Sequence, residues 1–413
     1  MRILFSGDSP TVNTGFGIVS KNILNRLAAR GYQIAVLGIN HYGDPYNPKE
    51  FPYPIYPCDK GPMAEQSFAF PKLWQIAGEF QPDILFFLND PWIIQKYLDF
   101  KSVDSPYLKT IGYFPIDSGP LKKKWIKTLN ELDAQICYSE YGERIITEGN
   151  DGNRPSNLFQ VYHGVDRKIF RPVNQQLARQ ELGIPTDAFV VGMVARNQYR
   201  KRFDILVAAF AEFAKDKPNA RLYLHTVMQD MGYDIPDLVE QYGIGDKMII
   251  TDGIKNPAHG ISDKDLNLIY NSFDINVLLS LGDGFGLPVA ESMATGCPQL
   301  VAGHSCLKEL VDGHGGLTVD IDSWLMNISG INTWGGVPSL EDTIEKLNLL
   351  YNSRELRIKL AEDGYRYISQ DKFNWDHIVD QMEEIFLSRM HILPMGKEKN
   401  VTTDTAIANV SAA

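Results

Sequence analysis

Long apolar runs and cysteine pairs are the most conspicuous absences from this sequence. No uninterrupted run of about 18 apolar residues occurs in the 413-residue chain, and residues 1–10 lack the apolar segment of a secretion signal. The four cysteines show neither the C-x-x-C spacing of a zinc or redox site nor the density of a disulfide scaffold: Cys58, Cys137, Cys297 and Cys306. We therefore expect no transmembrane segment and a cytoplasmic protein, with peripheral attachment to a membrane left open.

Positive charge is also scarce. The chain has 40 Lys and Arg residues against 51 Asp and Glu residues, a net charge of −11, which argues against a protein that coats nucleic acid through a basic surface. One basic run departs from this balance, with Lys122, Lys123, Lys124 and Lys127 around Trp125. It predicts either a solvated helix face or a surface for an anionic acceptor, such as lipid headgroups or nucleic-acid phosphate.

The chain does have enough apolar material for more than one core. Its 413 residues exceed an ordinary single domain, and its 44% hydrophobic and 22% charged residues are typical of compact globular proteins. We therefore expect two or three domains rather than one small module.

Short apolar runs alternate with helix-like segments along most of the sequence. In the first half, strands are predicted at residues 33–38, 84–88, 108–113, 134–138 and 158–162, after an initial strand and glycine loop. In the second half, strands are predicted at residues 189–194, 221–224, 248–251, 275–279 and 299–301, with helices at about 202–215, 263–272 and 288–295. This alternation implies parallel sheets covered on both faces. The predicted fold class is α/β, with two Rossmann-like doubly wound domains that bind ligands in the cleft between them.

Residues 170–176 interrupt the alternation. They are polar and contain proline, so the domain boundary is predicted there, between a first domain at 1–171 and a second at 177–372. A helix at residues 373–394 is expected to pack back on the first domain. Residues 395–413 are small and polar without periodicity, and we predict that they are disordered.

The most informative segment is residues 280–296, with the sequence SLGDGFGLPVAESMATG. Gly284 and Gly286 allow backbone N–H groups to approach a ligand closely, and Pro288 suits the first turn of a helix. Asp283 and Glu291 therefore flank a helix N-terminus, whose positive end suits a diphosphate, while carboxylates suit hydroxyl-rich ligands. A sugar attached to a nucleotide offers both chemical features. Taken singly, each acid could be a loop or first-turn residue favoured only by the helix dipole.

This segment closely resembles the signature of retaining glycosyltransferases of family four, which carry a glutamate pair around G-F-G-L-P; Asp283 stands here in place of the first glutamate. Residues 161–172 resemble the segment that precedes the hinge in this family, with His163 where asparagine is usual. Residues 192–204 and the F-x-W motif at 373–376 are similar to further family segments. The resemblance covers most of the chain and implies the GT-B fold, with two domains facing across a cleft and a C-terminal helix that crosses back.

The same resemblance implies roles for individual residues. Arg196 and Lys201 would hold the donor diphosphate, Glu291 the ribose hydroxyls and Asp283 the transferred sugar. We expect Arg196 at a strand end and Lys201 at the start of the next helix, so that both cations converge on the phosphates. The predicted catalytic residues are thus Asp283, Arg196 and Lys201, and the predicted donor-binding residues are Gly15, Gly17, Arg196, Lys201, Gly284, Phe285, Gly286, Leu287 and Glu291.

Several candidates keep two interpretations. The glycines of the loop at 13–17 could form a tight turn or approach the donor phosphate. Asp117 follows a strand where many relatives have histidine, and it could hold acceptor or sugar hydroxyls or cap the following helix. His163 and His225 are further candidates for contact with acceptor, sugar or nucleotide, or are structural.

The predicted reaction is retaining transfer of a sugar from a UDP- or GDP-linked donor to a hydroxyl of a glycan, a lipid-linked molecule or another acceptor. No metal or other cofactor is expected, because the cations would stabilise the leaving diphosphate and no D-x-D motif follows an N-terminal strand. Three alternatives stay open, since a fold does not determine chemistry: transfer to a modified base in DNA, which the net charge does not favour; a sugar-nucleotide epimerase or phosphorylase; and a noncatalytic nucleotide-sugar-binding protein.

Overall fold

The computed structural model describes residues 1–61, 64–103, 105, 107–251, 260–327 and 331–390; the tail predicted at 395–413 lies outside them. The elements up to residue 160 are, in chain order, β1 (Arg2–Asp8), α1 (Gly15–Ala29), β2 (Gln33–Ile39), β3 (Ile55–Pro57), α2 (Ala64–Phe68), α3 (Phe70–Phe80), β4 (Ile84–Leu88), α4 (Pro91–Asp99), β5 (Lys109–Phe114), α5 (Lys123–Asn130), β6 (Ala134–Cys137), α6 (Glu140–Gly149) and β7 (Leu158–Gln160). In the described part of the chain, no helix is long and apolar enough to cross a membrane.

The first sheet is parallel throughout, with seven strands in the order β3-β2-β1-β4-β5-β6-β7. Ile3 pairs with Ile34 of β2 on one side and with Ile84 of β4 on the other. All five residues of β4 are buried, as expected for a strand covered on both faces by helices. The strand order reverses between β1 and β4, which places a ligand crevice at the carboxyl ends of these strands.

The second part of the chain continues with α7 (Gln175–Glu181), β8 (Phe189–Val194), α8 (Phe203–Phe213), β9 (Ala220–His225), α9 (Ile235–Gln241), β10 (Met248–Ile250), α10 (Asp263–Ser272), β11 (Ile275–Leu278), α11 (Leu287–Ala294), β12 (Gln299–Ala302), α12 (Ser305–Val311), β13 (Gly316–Val319), β14 (Ile321–Met326), β15 (Trp334–Pro338), α13 (Leu340–Asn352), α14 (Arg354–Ile368) and α15 (Trp375–Met390). Six of these strands form a second parallel sheet in the order β10-β9-β8-β11-β12-β13. Its order reverses between β8 and β11, so this sheet has a ligand crevice as well.

The segment predicted as the domain boundary is held against α10. The backbone N–H of Arg171 donates to Asn267 Oδ1 at 3.0 Å, and that of Val173 donates to Asn271 Oδ1 at 2.7 Å. Helix α7 already begins at Gln175, within the predicted linker. The path of the chain between the two sheets is therefore anchored on the second one.

Helix α15 returns to the first sheet's side of the molecule, as the sequence predicts. Arg26 of α1 forms an ion pair with Asp376 at 2.7 Å, and Arg30 forms one with Glu383 at 2.7 Å. The ring of Phe386 packs edge-on against Phe86 of β4, with ring centroids 5.1 Å apart. The chain thus has two Rossmann-like domains and a C-terminal helix that crosses back, which confirms the predicted GT-B architecture.

Candidate functional site

The loops that follow β11 and β5 bring the two domains into contact. A Cβ atom on Gly282 would lie 2.2 Å from the backbone oxygen of Asp117, and one on Gly284 would lie 2.4 Å from Cβ of Pro115. Only glycine fits such a close approach without movement of the backbone. The segment singled out from the sequence therefore packs directly on the first domain.

Helix α11 begins at the end of this loop, and its N-terminus has no side-chain cap. Gly286, the residue before the helix, has φ of +92°, a left-handed conformation that favours glycine. A Cβ atom on Gly15, at the start of α1, would lie 3.7 Å from Cδ1 of Leu287, the first residue of α11. The starts of α1 and α11, one from each domain, thus lie close together, and the N-terminus of α11 suits an anion.

Gly17 and Thr14 shape the start of α1. Thr14 caps the helix by accepting from the backbone N–H of Gly17 at 2.9 Å, and its hydroxyl donates to the carboxylate of Asp8. A Cβ atom on Gly17 would lie 2.1 Å from the backbone oxygen of Val12, so the tight turn requires glycine at this position. The loop is both a tight turn and a wall of the cleft.

A cluster of opposite charges lies beside the N-terminus of α11. Lys201 Nζ is 2.6 Å from Asp283 Oδ2, and both side chains are buried. Arg200 lies 3.2 Å from Asp283 Oδ1 and 3.7 Å from Asp117 Oδ2, so it connects the two domains. The structure therefore brings together three residues that the sequence singled out, Lys201, Asp283 and Asp117, and adds Arg200.

The ionisation of this cluster follows from burial and from the charges of its neighbours. Burial alone would raise the pKa of Asp283, but Lys201 and Arg200 outweigh it and lower the pKa below the ordinary value. For Asp117 burial prevails and raises the pKa, although Arg200 opposes the shift. Burial and the neighbouring Arg200 lower the pKa of Lys201. The cluster thus contains one carboxylate held firmly in its charged form and one that binds a proton more readily.

Two more carboxyl groups extend the first domain's wall of the cleft. Asp8, at the end of β1, is buried, and burial raises its pKa to about 6 despite hydrogen bonds with Thr14 and Asn40. Asp90, which follows β4, has a pKa raised to about 7 by burial and by the nearby Asp117. Neither residue was singled out from the sequence. Lone acids after strands carry no distinctive signal until the sheet order shows that these strand ends are neighbours.

Arg196 does not join Lys201 at Asp283. Its Nε lies 2.7 Å from Asp230 Oδ2, and its side chain is exposed. Arg196 still belongs to the same cleft, because its positive charge helps to lower the pKa of Asp8, against the larger effect of burial. The two cations predicted to converge are therefore apart here, and Arg200 occupies the position beside Lys201.

Glu291 lies apart from the ion cluster. Its carboxylate is buried within α11 and accepts a hydrogen bond of 2.9 Å from the hydroxyl of Tyr270 in α10. Burial raises the pKa of Glu291 to about 8, and the bond from Tyr270 opposes the shift. Glu291 and Asp283 thus have different partners: Glu291 is bound by Tyr270 in the second domain's interior, and Asp283 belongs to the ion cluster.

His163 and Phe285 lie in the packed interior. The His163 ring is buried among aromatic side chains, with ring centroids 4.1 Å from Tyr138 and 5.0 Å from Phe285. The Tyr113 hydroxyl and His163 Nδ1 are hydrogen-bonded at 2.6 Å. Burial lowers the pKa of His163 to about 3, so the ring is neutral. Both residues support the strand ends around the cleft from within rather than line its surface.

His225 ends β9 in the second domain. Its Nδ1 is hydrogen-bonded to Thr251 Oγ1 at 2.9 Å, and burial lowers its pKa to about 4. The neighbouring Thr226 hydroxyl is buried without a partner among the residues that the structure describes. Neutral polar groups at a strand end can form hydrogen bonds with a ligand. His225 therefore stays a candidate for contact with acceptor, sugar or nucleotide.

Comparisons with known proteins agree with this geometry. Residues 174–367 match the family model of glycosyl transferases group 1. A D-inositol 3-phosphate glycosyltransferase of Mycobacterium marinum is 30% identical over 185 residues, which make up 43% of this chain and 37% of that protein. The matching segments span 37% to 59% of the length of three such curated relatives.

Solved structures share the architecture over nearly the whole chain. Sucrose-phosphate synthase from Thermosynechococcus elongatus has a TM-score of 0.75 and 18% identity, with 94% of this chain and 98% of that chain covered. Anabaena HepE, solved in complex with UDP-glucose, has a TM-score of 0.70 and 17% identity, with 94% and 100% covered. At these identities the likeness concerns the fold. Together with the family match, it shows that residues 174–367 form a glycosyl transferases group 1 domain within a chain that has the GT-B fold.

Proposed function

We propose that this protein is a retaining glycosyltransferase that moves a sugar from a UDP- or GDP-linked donor to an acceptor hydroxyl. The observation that carries the proposal is the buried Lys201–Asp283 pair, with nitrogen and oxygen 2.6 Å apart, next to the uncapped N-terminus of α11. This combination offers cations and N–H groups to a diphosphate and a carboxylate to sugar hydroxyls. Two similar structures, those of Anabaena HepE with UDP and with UDP-glucose, support a UDP-linked donor.

In this proposal Lys201, Arg196 and the N-terminus of α11 stabilise the leaving diphosphate. Negative charge grows on the diphosphate as the glycosidic bond breaks, and preorganised cations lower the barrier most where charge develops. Without donor, Asp283 is paired with both Lys201 and Arg200. The incoming phosphate groups compete with Asp283 for Lys201, and Arg196 reaches them by exchanging its exposed ion pair with Asp230.

Asp283 would then accept hydrogen bonds from the transferred sugar. Aspartate is one methylene shorter than the glutamate that the family signature has at this position. Arg200 compensates for the shorter side chain, since it lies 3.2 Å from Asp283 Oδ1 and also donates to the backbone oxygen of Gly282 at 3.0 Å. We assign Arg200 as a positioning residue that keeps Asp283 charged and oriented when Lys201 turns to the phosphate.

Glu291 would hold the ribose hydroxyls of the donor, with the hydroxyl of Tyr270 fixing its carboxylate. A carboxyl group accepts two hydrogen bonds from neighbouring hydroxyl groups, which suits a ribose. His225 is assigned to the nucleotide side of the cleft, because β9 lies on the far side of β8 from β11. The diphosphate would thus lie between the sugar at Asp283 and the nucleoside at Glu291.

The acceptor hydroxyl would enter from the first domain, along Asp8, Asp90 and Asp117. These carboxyl groups suit hydroxyl groups, and in their ionised form they repel anions, because like charges at short range are unfavourable. The curated relatives are named for D-inositol 3-phosphate, a phosphorylated compound. We propose that the acceptor of this chain, a glycan or a lipid-linked molecule, has no phosphate beside the reacting hydroxyl.

Retention would arise by attack from the face that the diphosphate leaves, with a departing phosphate oxygen taking the acceptor's proton. Asp283 would not act as a nucleophile, because Arg200 keeps its carboxylate paired while Lys201 turns to the phosphate. Its charge instead offsets the positive charge that develops on the sugar. The proposed reaction uses only the chain's own groups.

The test is a turnover assay with UDP- and GDP-sugars against a panel of glycan and lipid-linked acceptors. We expect nucleoside diphosphate release only when donor and acceptor are both present, and NMR of the product should show the donor's anomeric configuration. Lys201→Ala should abolish turnover, whereas Lys215→Ala, which removes an exposed lysine paired with Glu212, should not.

Other outcomes would assign a different function. A product with the opposite anomeric configuration to the donor would refute the proposed retention. Isomerisation of the donor alone would indicate an epimerase, and a requirement for free phosphate would indicate a phosphorylase. Donor binding without turnover on every acceptor would indicate a noncatalytic binding protein.

A further inference from the structure

The hairpin β14–β15 exposes large apolar side chains at the edge of the second domain. The exposed fractions are 54% for Trp324, 47% for Leu325, 42% for Met326 and 43% for Trp334. Trp324 pairs with Gly336 and Met326 pairs with Trp334, so Trp324, Met326 and Trp334 share one face of the ladder, while Leu325 is on the other. We refer to these four residues as the apolar ribbon. A cluster of this kind on a surface marks an interaction site.

The apolar ribbon is anchored beside the mouth of the cleft. The backbone N–H of Trp334 donates to the Gly119 oxygen at 2.9 Å, and that of Gly336 donates to the Leu281 oxygen at 3.0 Å. Gly119 and Leu281 each lie two residues from a carboxylate of the charge cluster, Asp117 and Asp283 respectively. The ribbon is therefore held by both domains at a fixed position next to the candidate site.

Exposed lysines lie close to the ribbon. Helix α5 begins four residues after Gly119, a stretch of chain that spans at most about 14 Å. Lys123 is exposed, and the exposed side-chain fractions of Lys124 and Lys127 are 67% and 78%. Their ion pairs are long and exposed, since Lys124 is 3.8 Å from Asp99 and Lys127 is 3.8 Å from Glu131. A local basic run thus begins within about 14 Å of the ribbon's anchor at Gly119, although the whole chain has a net charge of −11.

We propose that the apolar ribbon and the α5 lysines form a docking surface for an anionic lipid bilayer. Tryptophan favours the interface between headgroups and acyl chains, leucine and methionine favour the acyl region, and lysines attract anionic headgroups. A ribbon with apolar groups on both faces suits insertion into a fluid interface, which surrounds it, better than a flat protein partner.

Single-stranded nucleic acid fits this surface less well. Stacking platforms for bases are built from aromatic rings in a basic groove, and Leu325 and Met326 have no ring. A docked bilayer would instead lie beside the cleft, within reach of the first domain's wall. A lipid-linked acceptor could then reach the site from the bilayer, a consequence that rests on the proposed function, whereas the docking itself does not.

The test is sedimentation of the full chain with vesicles of phosphatidylcholine alone or mixed with phosphatidylglycerol, without donor. We expect binding to the mixed vesicles that weakens at high salt. The double variant Trp324→Ser/Trp334→Ser should lower the partition coefficient at least about tenfold, because it removes two interfacial anchors. The double variant Lys123→Glu/Lys127→Glu should lower the partition coefficient on the mixed vesicles by at least about fivefold per lysine. It should leave the partition coefficient on vesicles of phosphatidylcholine alone unchanged.

Matched controls separate docking from general surface effects and from catalysis. Leu177→Ser on α7, where the leucine is 59% exposed, and Lys215→Glu, at an exposed lysine, should leave vesicle binding unchanged. Lys201→Ala should bind vesicles as the unmodified chain does, even where it abolishes turnover. Circular dichroism checks that each variant is folded.

Three results would overturn the proposal. The first is no sedimentation with anionic vesicles. The second is binding that survives both double variants, which would place the contact elsewhere on the chain. The third is binding of a single-stranded oligonucleotide, lost in the same variants, without any binding of vesicles.

Discussion

Asp283 is the residue on which the charges of the site converge. Lys201 and Arg200 hold its two oxygens at 2.6 and 3.2 Å, in a setting from which water is largely excluded. An ion pair of this kind is costly to bury and costly to break on one side. Its position beside the N-terminus of α11 is more easily explained by a charged ligand than by stability.

Arg200 supplies the first prediction at this scale. Arg200→Gln should lower kcat by about a hundredfold with little change in the KM for donor, because Asp283 loses its orientation while Lys201 still binds phosphate. Arg200→Lys should restore part of the loss. Steady-state kinetics on both variants separate the effect on kcat from the effect on KM. Arg221→Gln is the control, since Arg221 donates to the nearby carbonyl oxygen of Pro218, away from the charge cluster. An unchanged kcat, or a change confined to KM, would contradict the role.

Glu291 supplies a prediction about pH. Burial raises its pKa from 4.5 to about 8, so the folded state keeps a proton that the unfolded chain releases near pH 4.5. The resulting contribution to stability is fully present below that pH and is lost as the pH rises through 8. Glu291→Gln should therefore raise the free energy of unfolding at pH 9 by a few kcal/mol and leave it nearly unchanged at pH 5.

Urea denaturation at the two pH values measures this difference. The matched control is Glu212→Gln, at an exposed glutamate, where no such pH-dependent gain is expected. Equal stability of Glu291→Gln and the unmodified chain at pH 9 would show that Glu291 does not ionise at a cost in the folded protein.

The arginines show how far residue roles can be predicted from sequence. The family resemblance implies that Arg196 and Lys201 act as a pair, whereas the structure pairs Lys201 with Asp283 and Arg196 with Asp230. Sequence does not reveal that Asp230, 34 positions along the chain, pairs with Arg196 instead. It also does not reveal that Arg200 faces Asp283, since such pairing depends on how the loop after β8 turns.

At the scale of elements, the loop before α11 depends on its glycines. Gly282→Ala would place a methyl group 2.2 Å from the backbone oxygen of Asp117, so the two loops must separate. We expect kcat/KM to fall at least about tenfold, because small displacements of positioning groups are costly. Gly78→Ala on α3, where an added Cβ meets nothing within 4 Å, should instead stabilise the chain by up to about 1 kcal/mol.

Activity assays and thermal unfolding of the two alanine variants test this prediction. Full activity of Gly282→Ala would mean that the contact between the loops after β5 and β11 is not needed for turnover.

Helix α15 supplies a second prediction at this scale. Phe386 is fully buried against Phe86 of the first sheet, so Phe386→Ala should cost about 3–5 kcal/mol of unfolding free energy. Leu387→Ala, at the exposed neighbouring position, should change it by less than about 0.5 kcal/mol. Urea denaturation distinguishes the two. Equal effects would argue that α15 does not depend on its contact with the first domain.

The elements differ in how well the sequence predicts them. Strands of the two sheets, such as β4 and β8, are continuous apolar runs because both faces are buried, and their positions are predicted closely. The hairpin β14–β15 was not predicted, since β14 exposes most of its side chains and lacks the alternation of a half-buried strand. β3 and β13 were not predicted either.

At the scale of the whole molecule, the two domains also touch away from the charge cluster. Glu309 of α12 accepts from the backbone N–H groups of Glu140 and Tyr141 at 3.0 and 2.9 Å, so it binds the N-terminus of α6 in the first domain. The Ser118 and Thr333 hydroxyls are hydrogen-bonded at 2.7 Å. These contacts join the two domains at further points beside the cleft.

The family match bears on one part of the molecule more than the other. The family model covers residues 174–367, where the donor would bind, and leaves most of the acceptor-side wall unmatched. The carboxyl groups of that wall, Asp8, Asp90 and Asp117, therefore indicate the acceptor more directly than the names of the relatives do.

The most direct test of the account is calorimetric titration of UDP and GDP into the unmodified chain and Lys201→Ala, with Lys215→Ala as control. We predict that one nucleotide binds the unmodified chain and the Lys215→Ala control equally. In Lys201→Ala its affinity should fall at least about tenfold, since a charge-assisted hydrogen bond contributes about 1.5–3 kcal/mol. Binding of neither nucleotide, or equal affinity in Lys201→Ala, would contradict the claim that this cleft holds a diphosphate.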